Sequence, residues 1–331
     1  MSQNATKPHE VLAQFVDKDL TAMNLLIQER MASEHAPRIP EVTAHLVEAG
    51  GKRLRPLLTL ACARLCGYDG PYHIHLAAAV EFIHTATLLH DDVVDESQKR
   101  RGRPTANLLW DNKSSVLVGD YLFSRSFQLM VETGRLEVLD ILANASATIA
   151  EGEVLQLTAS QDLNTTQDIY LQVVRGKTAA LFSAAAQVGG VIANSDETIC
   201  AALYTYGDAL GIAFQIVDDL LDVMGDAKAM GKNIGDDFRE RKLTMPLIKT
   251  IAKADDSERA FWVKTIEKGK QDEGDLEHAI ALMHKHNAIE DTRAEALDWA
   301  EKAQRALEAL PPHPVRDTLT DLALYVVERI K

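Results

Sequence analysis

Apolar residues recur at every third or fourth position along most of the chain, which places them on one face of an α-helix. Such runs extend over 11–27, 54–65, 74–94, 115–131, 136–157, 169–191, 199–223, 243–251, 288–310 and 319–330. A convincing alternation of apolar and polar residues, the sign of a β-strand, is missing. The pattern therefore predicts an all-α protein of about ten or more helices.

Proline and glycine residues mark the ends of these helices without dividing the chain. Pro37 and Pro40 end the first helical region, and three prolines at 311–314 precede the last. No stretch is typical of an interdomain linker, and no repeat of 20–50 residues occurs. We expect one domain over residues 1–331, with residues 1–9 disordered and the highly charged region 254–277 at the periphery.

Two aspartate clusters of identical spacing interrupt the apolar pattern. Their members are Asp91, Asp92 and Asp95 in the first cluster and Asp218, Asp219 and Asp222 in the second. On a helix the first and last carboxylates of each cluster lie on one face, where like charges repel. Each cluster is surrounded by leucine, valine, isoleucine and phenylalanine, so a cationic partner is required. Mg²⁺, which prefers oxygen ligands and often joins carboxylates to phosphates, is the best candidate.

Other interpretations of the clusters are weaker. A single run of charges is more often a solvated surface, but two matching runs with apolar flanks are not explained in that way. Neither cluster has the central glycine and alternating oxygen ligands of an EF-hand loop. No Cys-x-x-Cys pair or His-Glu-x-x-His motif indicates a zinc site.

Composition narrows the possible functions. The chain has 331 residues, 46% of them hydrophobic, and a formal net charge of -14, which argues against nonspecific nucleic-acid binding. Its three cysteines, Cys62, Cys66 and Cys200, suggest free thiols in a reducing cytoplasm. The N-terminal residues lack an apolar signal core, and no segment approaches the roughly 18 uncharged apolar residues of a membrane span. We expect a cytoplasmic protein.

Basic residues suited to a phosphate ligand lie in three places. Gly50-Gly51-Lys52-Arg53-Leu54-Arg55-Pro56 combines glycines, which allow close backbone approach, with three cations. Arg100, Arg101 and Arg103 follow the first aspartate cluster. Further candidates are His84, Lys177 with Thr178, Lys232 and Lys242. The first motif could instead be a solvated basic turn, and the arginines at 100–103 could merely neutralise the aspartate cluster. His84 could be a core histidine with its hydrogen bonds satisfied.

The motifs together resemble those of the trans-isoprenyl diphosphate synthase (polyprenyl synthetase) family. They occur in family order as GGKRLRP, LLHDDVVDESQKRRGRPTAN, GDYLFSRSF, RGKTAALF, FQIVDDLLD and GKNIGDDFRERKLTMPLI, spanning about residues 48–248. The resemblance implies helices around a deep central cavity. It also implies Mg²⁺-dependent head-to-tail (1'-4) condensation of isopentenyl diphosphate onto an allylic diphosphate, with three Mg²⁺ ions and a homodimer.

The resemblance also implies roles for individual residues. Asp91, Asp95 and Asp219 would ligate Mg²⁺ on the allylic diphosphate, with Asp92, Asp218 and Asp222 in the same clusters. Arg100, Lys177 and Lys242 would contact that diphosphate. Lys52, Arg55, His84 and Arg101 would bind isopentenyl diphosphate, and Arg53 is a further substrate-binding candidate. Thr178 and Gln215 would face the allylic carbon, and Lys232 would support the leaving group, so that Lys177, Thr178, Gln215 and Lys232 form the catalytic set.

The positions one helical turn before the first cluster suggest a long product. Short-chain enzymes of the family tend to carry aromatic residues there, whereas this chain has Ala86 and Thr87. Phe123 and Phe127 are candidates for a deeper floor of the channel. We therefore expect octaprenyl to decaprenyl diphosphate, a membrane-seeking precursor of quinone side chains, made from a dimethylallyl, geranyl or farnesyl primer.

Three alternatives follow from the same sequence. A short-chain farnesyl or geranylgeranyl synthase would share every motif. A class I terpene cyclase or squalene-type synthase usually has a different second metal motif and lacks GGKRLRP. A non-catalytic subunit of a heteromeric synthase is expected to lose one aspartate cluster, and both are intact here.

Overall fold

The computed structural model confirms the all-α class. Its described residues are 6–48, 51–100, 102–224 and 234–329. Within these ranges the only strands are Lys99–Arg100 and Arg103–Pro104, which pair antiparallel around Gly102 at φ 77°. This hairpin was not predicted, because strands of two residues are too short to show an alternating pattern.

The helices of the first half follow the predicted periodicity closely. They are α1 (Pro8–Phe15), α2 (Asp17–Met31), α3 (Arg38–Glu48), α4 (Leu54–Leu65), α5 (Tyr72–Val94), α6 (Ala106–Leu109), α7 (Asn112–Glu132) and α8 (Leu136–Ala159). α1 begins inside the segment predicted to be disordered, so residues 8 and 9 are helical. Proline is favourable at the first position of a helix, and the Lys7 backbone N–H donates to Glu10 Oε2 at 3.1 Å.

The second half is also helical. Its elements are α9 (Gln167–Val174), a π-helical turn (Arg175–Ala179), α10 (Ala180–Ile192), α11 (Glu197–Met224), α12 (Asp236–Arg239), α13 (Met245–Ile251), α14 (Asp256–Trp262), a second π-helical turn (Val263–Glu267), α15 (Asp275–Lys285), α16 (Ala288–Ala306), a 3₁₀ turn (Leu307–Ala309) and α17 (Pro314–Glu328). The start of α14 carries a capping box, in which Asp255 Oδ1 accepts from the Glu258 N–H at 3.0 Å and Glu258 Oε2 accepts from the Asp255 N–H at 3.1 Å.

The chain divides into two compact units, neither of which is one continuous stretch. The first unit comprises Met1–Ser146, Leu181–Tyr204 and Leu307–Leu319, and the second comprises Ala147–Ala180, Thr205–Ala306 and Thr320–Lys331. Because the chain changes unit after residues 146, 180, 204, 306 and 319, no linker separates the units. A single functional domain stays a prediction.

Each unit has its own packed helices. In the first unit α5 packs against α2, α4 and α7. A Cβ atom on Gly119 of α7 would lie 2.3 Å from His90 Nε2 of α5, so these two helices approach closely at that point. In the second unit α13, α15 and α16 pack against one another. Trp262 and Ile266 are fully buried, so the region 254–277, predicted to be peripheral, contributes to the core.

One described helix, α11, is long and apolar enough to cross a membrane by length and composition alone. In its most apolar window 61% is buried inside the protein, as in the core helix of a globular protein. The same helix carries Asp218, Asp219 and Asp222 near its C-terminal end.

Candidate active site

The first aspartate cluster lies at the C-terminal end of α5, in the first unit. The Asp95 N–H donates to the Asp91 carbonyl at 2.8 Å, so these two residues are one helical turn apart, as predicted. Asp91 is half-buried and Asp95 is exposed, whereas Asp92 is fully buried. The cluster therefore presents Asp91 and Asp95 outward and keeps Asp92 within the protein.

The hairpin turns Arg100 back onto Asp92. Arg100 Nε and Nη2 both donate to Asp92 Oδ1, at 2.9 and 2.8 Å. Such a paired, charge-assisted contact offsets the cost of burying the carboxylate. Asp92 Oδ2 is buried without a hydrogen-bond partner. Arg100, predicted to contact the allylic diphosphate, thus also anchors the first cluster, while Arg101 lies outside the described residues.

Within the basic GGKRLRP motif, α4 begins at Leu54, and Gly50 lies outside the described residues. Arg53 occupies the left-handed region at φ 45°, an uncommon conformation for a residue with a side chain. Its guanidinium lies 3.6 Å from Glu81 Oε1 and also contacts Asn24. Arg55 Nη1 lies 3.3 Å from His84 Nε2, which brings together two residues predicted to bind the same substrate. Lys52 is exposed just before the helix.

The three aspartates of the second cluster have different environments in the second unit. Asp219 is 4% exposed, and burial raises its pKa to about 7. Tyr170 OH donates to Asp219 Oδ2 at 2.5 Å, and Gln215 Nε2 donates to Oδ1 at 2.9 Å. Asp218 has a 41% exposed side chain, 3.4 Å from Arg329 Nη2.

Asp222, the third member, binds the backbone of the segment that follows α11. Its Oδ1 and Oδ2 accept from the N–H groups of Asp236 and Asp237, at 3.1 and 3.2 Å. Its carbonyl accepts from the Gly235 N–H at 2.8 Å, and Gly235 adopts φ 78°, which favours glycine. Asp222 therefore anchors the start of α12.

Lys177 and Thr178 lie on the first π-helical turn, a feature often found at functional sites. A Cβ atom on Gly176 would lie 2.7 Å from the Gly152 Cα of α8, so only glycine allows this close approach. Lys177 Nζ donates to Glu153 Oε2 at 2.9 Å, and Glu153 directly follows Gly152 on α8. Thr178 Oγ1 donates to Gln215 Oε1 at 2.8 Å.

Five residues predicted from sequence line one pocket of the second unit. They are Lys177, Thr178, Gln215, Asp219 and Lys242. Tyr170, Asp237 and Thr244 line it as well and were not predicted. Burial and the nearby Asp219 carboxylate raise the pKa of Asp237 well above its usual value, which Lys242 opposes. Lys232 lies outside the described residues.

Asp237, Tyr170 and Glu153 were not predicted from the sequence, for different reasons. Asp237 stands inside a quoted motif, so its acidic character was a usable signal. Tyr170 and Glu153 carry no local signal, because each acts only through a residue distant in sequence.

The donor set suits magnesium. In the first unit the outward carboxylates Asp91 and Asp95 supply hard oxygen ligands, and the buried Asp92 Oδ2 adds negative potential beside them. In the second unit the partly exposed Asp218 carboxylate supplies a ligand of the same kind. Among the described residues, no three acidic, histidine or cysteine side chains converge into a complete metal site. Mg²⁺ usually keeps waters and substrate phosphates in its coordination sphere, so an incomplete protein site is the expected form.

The predicted chain-length residues lie on α5 and α7. Ala86 is fully buried, and Thr87 Oγ1 donates to the His84 carbonyl at 2.8 Å. The rings of Phe123 and Phe127 are 5.7 Å apart on α7. Phe127 is 37% exposed in one chain, and its role as a floor of the channel stays a prediction. Its helix face points outward at that position, which the sequence pattern did not reveal.

Comparisons with known proteins identify the family of the chain. The family model described as "Polyprenyl synthetase" matches residues 36–283. Octaprenyl diphosphate synthase of Escherichia coli is 42% identical over 98% of this chain and 99% of its own length. The structure of a decaprenyl diphosphate synthase from Rhodobacter capsulatus is 71% identical with a TM-score of 0.95, covering 98% of this chain and all of that one.

A third relative was solved with ligands bound. The structure of a polyprenyl synthase from Caulobacter crescentus, complexed with calcium and isoprenyl diphosphate, is 48% identical with a TM-score of 0.94. It covers 99% of this chain and all of that one.

Proposed function

This chain belongs to the polyprenyl synthetase family, and from that premise we propose that it is a long-chain trans-polyprenyl diphosphate synthase. The observation that carries the proposal is the pocket that gathers Lys177, Thr178, Gln215, Asp219 and Lys242. Its relatives named octaprenyl and decaprenyl diphosphate synthases match over nearly the full chain, which favours a long product over the short-chain and non-catalytic alternatives.

The proposed reaction joins isopentenyl diphosphate to an allylic diphosphate. The C1–O bond of the allylic substrate breaks, and diphosphate departs with the electron pair. The terminal double bond of isopentenyl diphosphate attacks C1 and forms the new 1'-4 carbon–carbon bond. A proton is then lost to the released diphosphate, which accounts for the lack of a protein base among the motifs.

Basic side chains of this chain stabilise the departing charge. We assign Lys177, Lys242, Arg100 and Lys232 to the allylic diphosphate, where charge develops as the bond breaks. Lys52, Arg55, His84 and Arg101 are assigned to isopentenyl diphosphate. The ion pair of Arg53 with Glu81 favours a structural role for Arg53 at the start of α4.

Thr178 and Gln215 supply oriented dipoles for the allylic cation. The Thr178 hydroxyl hydrogen is used in the bond to Gln215 Oε1, so the lone pairs of Oγ1 remain available to face positive charge. Asp219 fixes the Gln215 amide by accepting from Nε2. Because these dipoles are set before the reaction, no reorganisation is needed as the cation forms.

Magnesium, when bound, neutralises and orients the diphosphate leaving group. We propose Asp91 and Asp95 as ligands from the first cluster and three ions in all. In the second cluster the exposed Asp218 is better placed to reach a metal than Asp219, the residue favoured by motif matching, because both Asp219 oxygens already accept hydrogen bonds. Asp92 holds the hairpin through Arg100, and Asp222 binds the backbone at the start of α12.

We also propose that the enzyme is a homodimer joined through α7. Leu117 and Val131 on this helix are 67% and 63% exposed, and Phe127 lies on the same face. An exposed apolar stripe several turns long is typical of an interface. Sedimentation of the protein should give a dimer, and Leu117→Glu should give monomers.

Product analysis tests the proposal directly. The protein, labelled isopentenyl diphosphate, Mg²⁺ and farnesyl diphosphate should yield a ladder ending between octaprenyl and decaprenyl diphosphate by mass spectrometry. Products that stop at geranylgeranyl diphosphate would indicate a short-chain enzyme. No incorporation of label would reject the synthase activity.

A further inference from the structure

The guanidinium of Arg55 lies over the face of a buried aromatic ring. Its Cζ is 4.4 Å from the centroid of Phe182, well inside the roughly 6 Å limit of a cation–π contact. Phe182 is only 1% exposed, and cation–π attraction strengthens where water is excluded. Because Arg55 Nη1 also lies 3.3 Å from His84 Nε2, the guanidinium is held by two partners.

Helix packing fixes the place of this ring. Phe182, Ala185 and Gly189 follow one another at three- and four-residue spacing on α10 and contact α4 in turn. One turn after the Arg55 contact, Thr59 Oγ1 donates to the Ala185 carbonyl at 2.9 Å, in a buried bond. At the next turn, a Cβ atom on Gly189 would lie 2.9 Å from the Thr59 carbonyl oxygen. The two helices therefore hold Phe182 and Arg55 in a fixed register.

An aromatic ring orients a guanidinium differently from a carboxylate. Arg53 pairs with the Glu81 carboxylate and Arg100 with the Asp92 carboxylate. A carboxylate orients a guanidinium but also repels an incoming diphosphate. An aromatic ring orients the cation without itself adding negative charge that would repel a phosphate.

We propose that Phe182 is a positioning residue that presents Arg55 to the diphosphate of isopentenyl diphosphate. The inference rests on the proposed function, which assigns Arg55 to that substrate. Its consequence is selective: Phe182 sets the KM for isopentenyl diphosphate and leaves the KM for the allylic diphosphate unchanged.

Three substitutions at this position test the role. Phe182→Met keeps the side-chain volume but removes the ring, and should raise the KM for isopentenyl diphosphate about tenfold. The KM for farnesyl diphosphate should stay within about twofold, because the contact concerns only Arg55. Pentafluorophenylalanine at position 182 keeps the ring's shape but reverses the charge on its face, and should raise the same KM with little change in Tm. Phe182→Tyr retains the ring face and should restore near-normal kinetics.

A matched control separates this role from packing. Phe82 is equally buried, at 1% exposure in the first unit, and Phe82→Met should lower Tm without raising the KM for isopentenyl diphosphate. The inference is overturned if Phe182→Met raises both KM values equally, or if the fluorinated ring leaves both unchanged.

Arg55→Lys, measured in parallel, tests the underlying assignment. Lysine lacks the planar fork, so the KM for isopentenyl diphosphate should rise. If Arg55→Lys raises the KM for isopentenyl diphosphate and Phe182→Met does not, the proposed function stands and the inference is rejected. No rise with Arg55→Lys rejects the assignment of Arg55 itself, and the inference with it.

Discussion

Gln215 Nε2 donates a hydrogen bond to Asp219 Oδ1 over 2.9 Å, one helical turn away on α11. Because the amide nitrogen is engaged there, the carbonyl oxygen faces Thr178, whose hydroxyl donates to it over 2.8 Å. Tyr170 OH secures the other oxygen of the carboxylate at 2.5 Å. A buried carboxylate thus determines which end of Gln215 lies toward Thr178.

Tyr170→Phe tests this arrangement. Loss of the hydroxyl removes one hydrogen bond to a charged group, worth about 1.5–3 kcal/mol, and lets the carboxylate and the Gln215 amide reorient. We expect kcat to fall about tenfold while both KM values change little. Single-turnover rates measure the effect. Tyr206→Phe is the control, since Tyr206 is also fully buried in the second unit; an equal fall in kcat there would contradict a specific role.

Arg100→Leu should destabilise the first unit. It leaves the Asp92 carboxylate buried without its cation, which we expect to cost about 2–4 kcal/mol, reduced by the partial exposure of Arg100. Chemical denaturation measures the loss. The exposed Arg103→Leu on the paired strand should change stability by less than about 0.5 kcal/mol. The double variant Arg100→Leu, Asp92→Leu should recover part of the loss, and full additivity of the two changes would contradict the pairing.

Ala86→Phe should shorten the product. An aromatic ring one helical turn before the first cluster is expected to block the channel, so products near the length of geranylgeranyl diphosphate should replace the long ones. Ala77→Phe is the control, because Ala77 is equally buried but nine residues away, about 2.5 turns, on the opposite side of α5. It should lower Tm and leave product length unchanged. Long products from Ala86→Phe would reject this channel.

Stability should fall between pH 7.5 and 5.5 because of His73. Burial lowers the pKa of His73, and the neighbouring Asp19 carboxylate, 3.1 Å away, opposes this only in part. The unfolded chain therefore binds a proton first, so stability is complete above the unfolded pKa of about 6.5 and declines as pH falls below it. The Tm of His73→Gln, measured across this range, should depend less on pH. An unchanged slope would show that other groups are responsible.

The features predicted correctly from the sequence are those that show a local pattern along the chain. Helical periodicity placed α5 and α11, and the two aspartate clusters stood out because their charges interrupt apolar stripes. The close approach of Gly152 and Gly176 could not be predicted, because each position requires glycine only when the backbone of the other lies against it. The same holds for Tyr170, which acts through Asp219, 49 positions further along the chain.

The two aspartate clusters have the same spacing, but their corresponding residues have different partners. Asp91, Asp92 and Asp95 have the same spacing as the second cluster, yet Asp92 binds Arg100 whereas its counterpart Asp219 binds Tyr170 and Gln215. Arg100 comes from a hairpin and Tyr170 from α9, and the spacing of aspartates along a helix carries no information about either. The burial of Trp262 was not predicted for a related reason: many charged residues surround the short apolar segment in which it lies.

The central claim is that aspartates of each cluster ligate magnesium in the diphosphate-bound enzyme. A crystal structure with farnesyl thiodiphosphate and Mn²⁺ in place of Mg²⁺ tests it most directly, since anomalous scattering locates each ion. We expect metal ions ligated by Asp91 and Asp95 in the first cluster and by an aspartate of the second cluster. A thiodiphosphate bound with metal ligands from only one cluster would contradict the account.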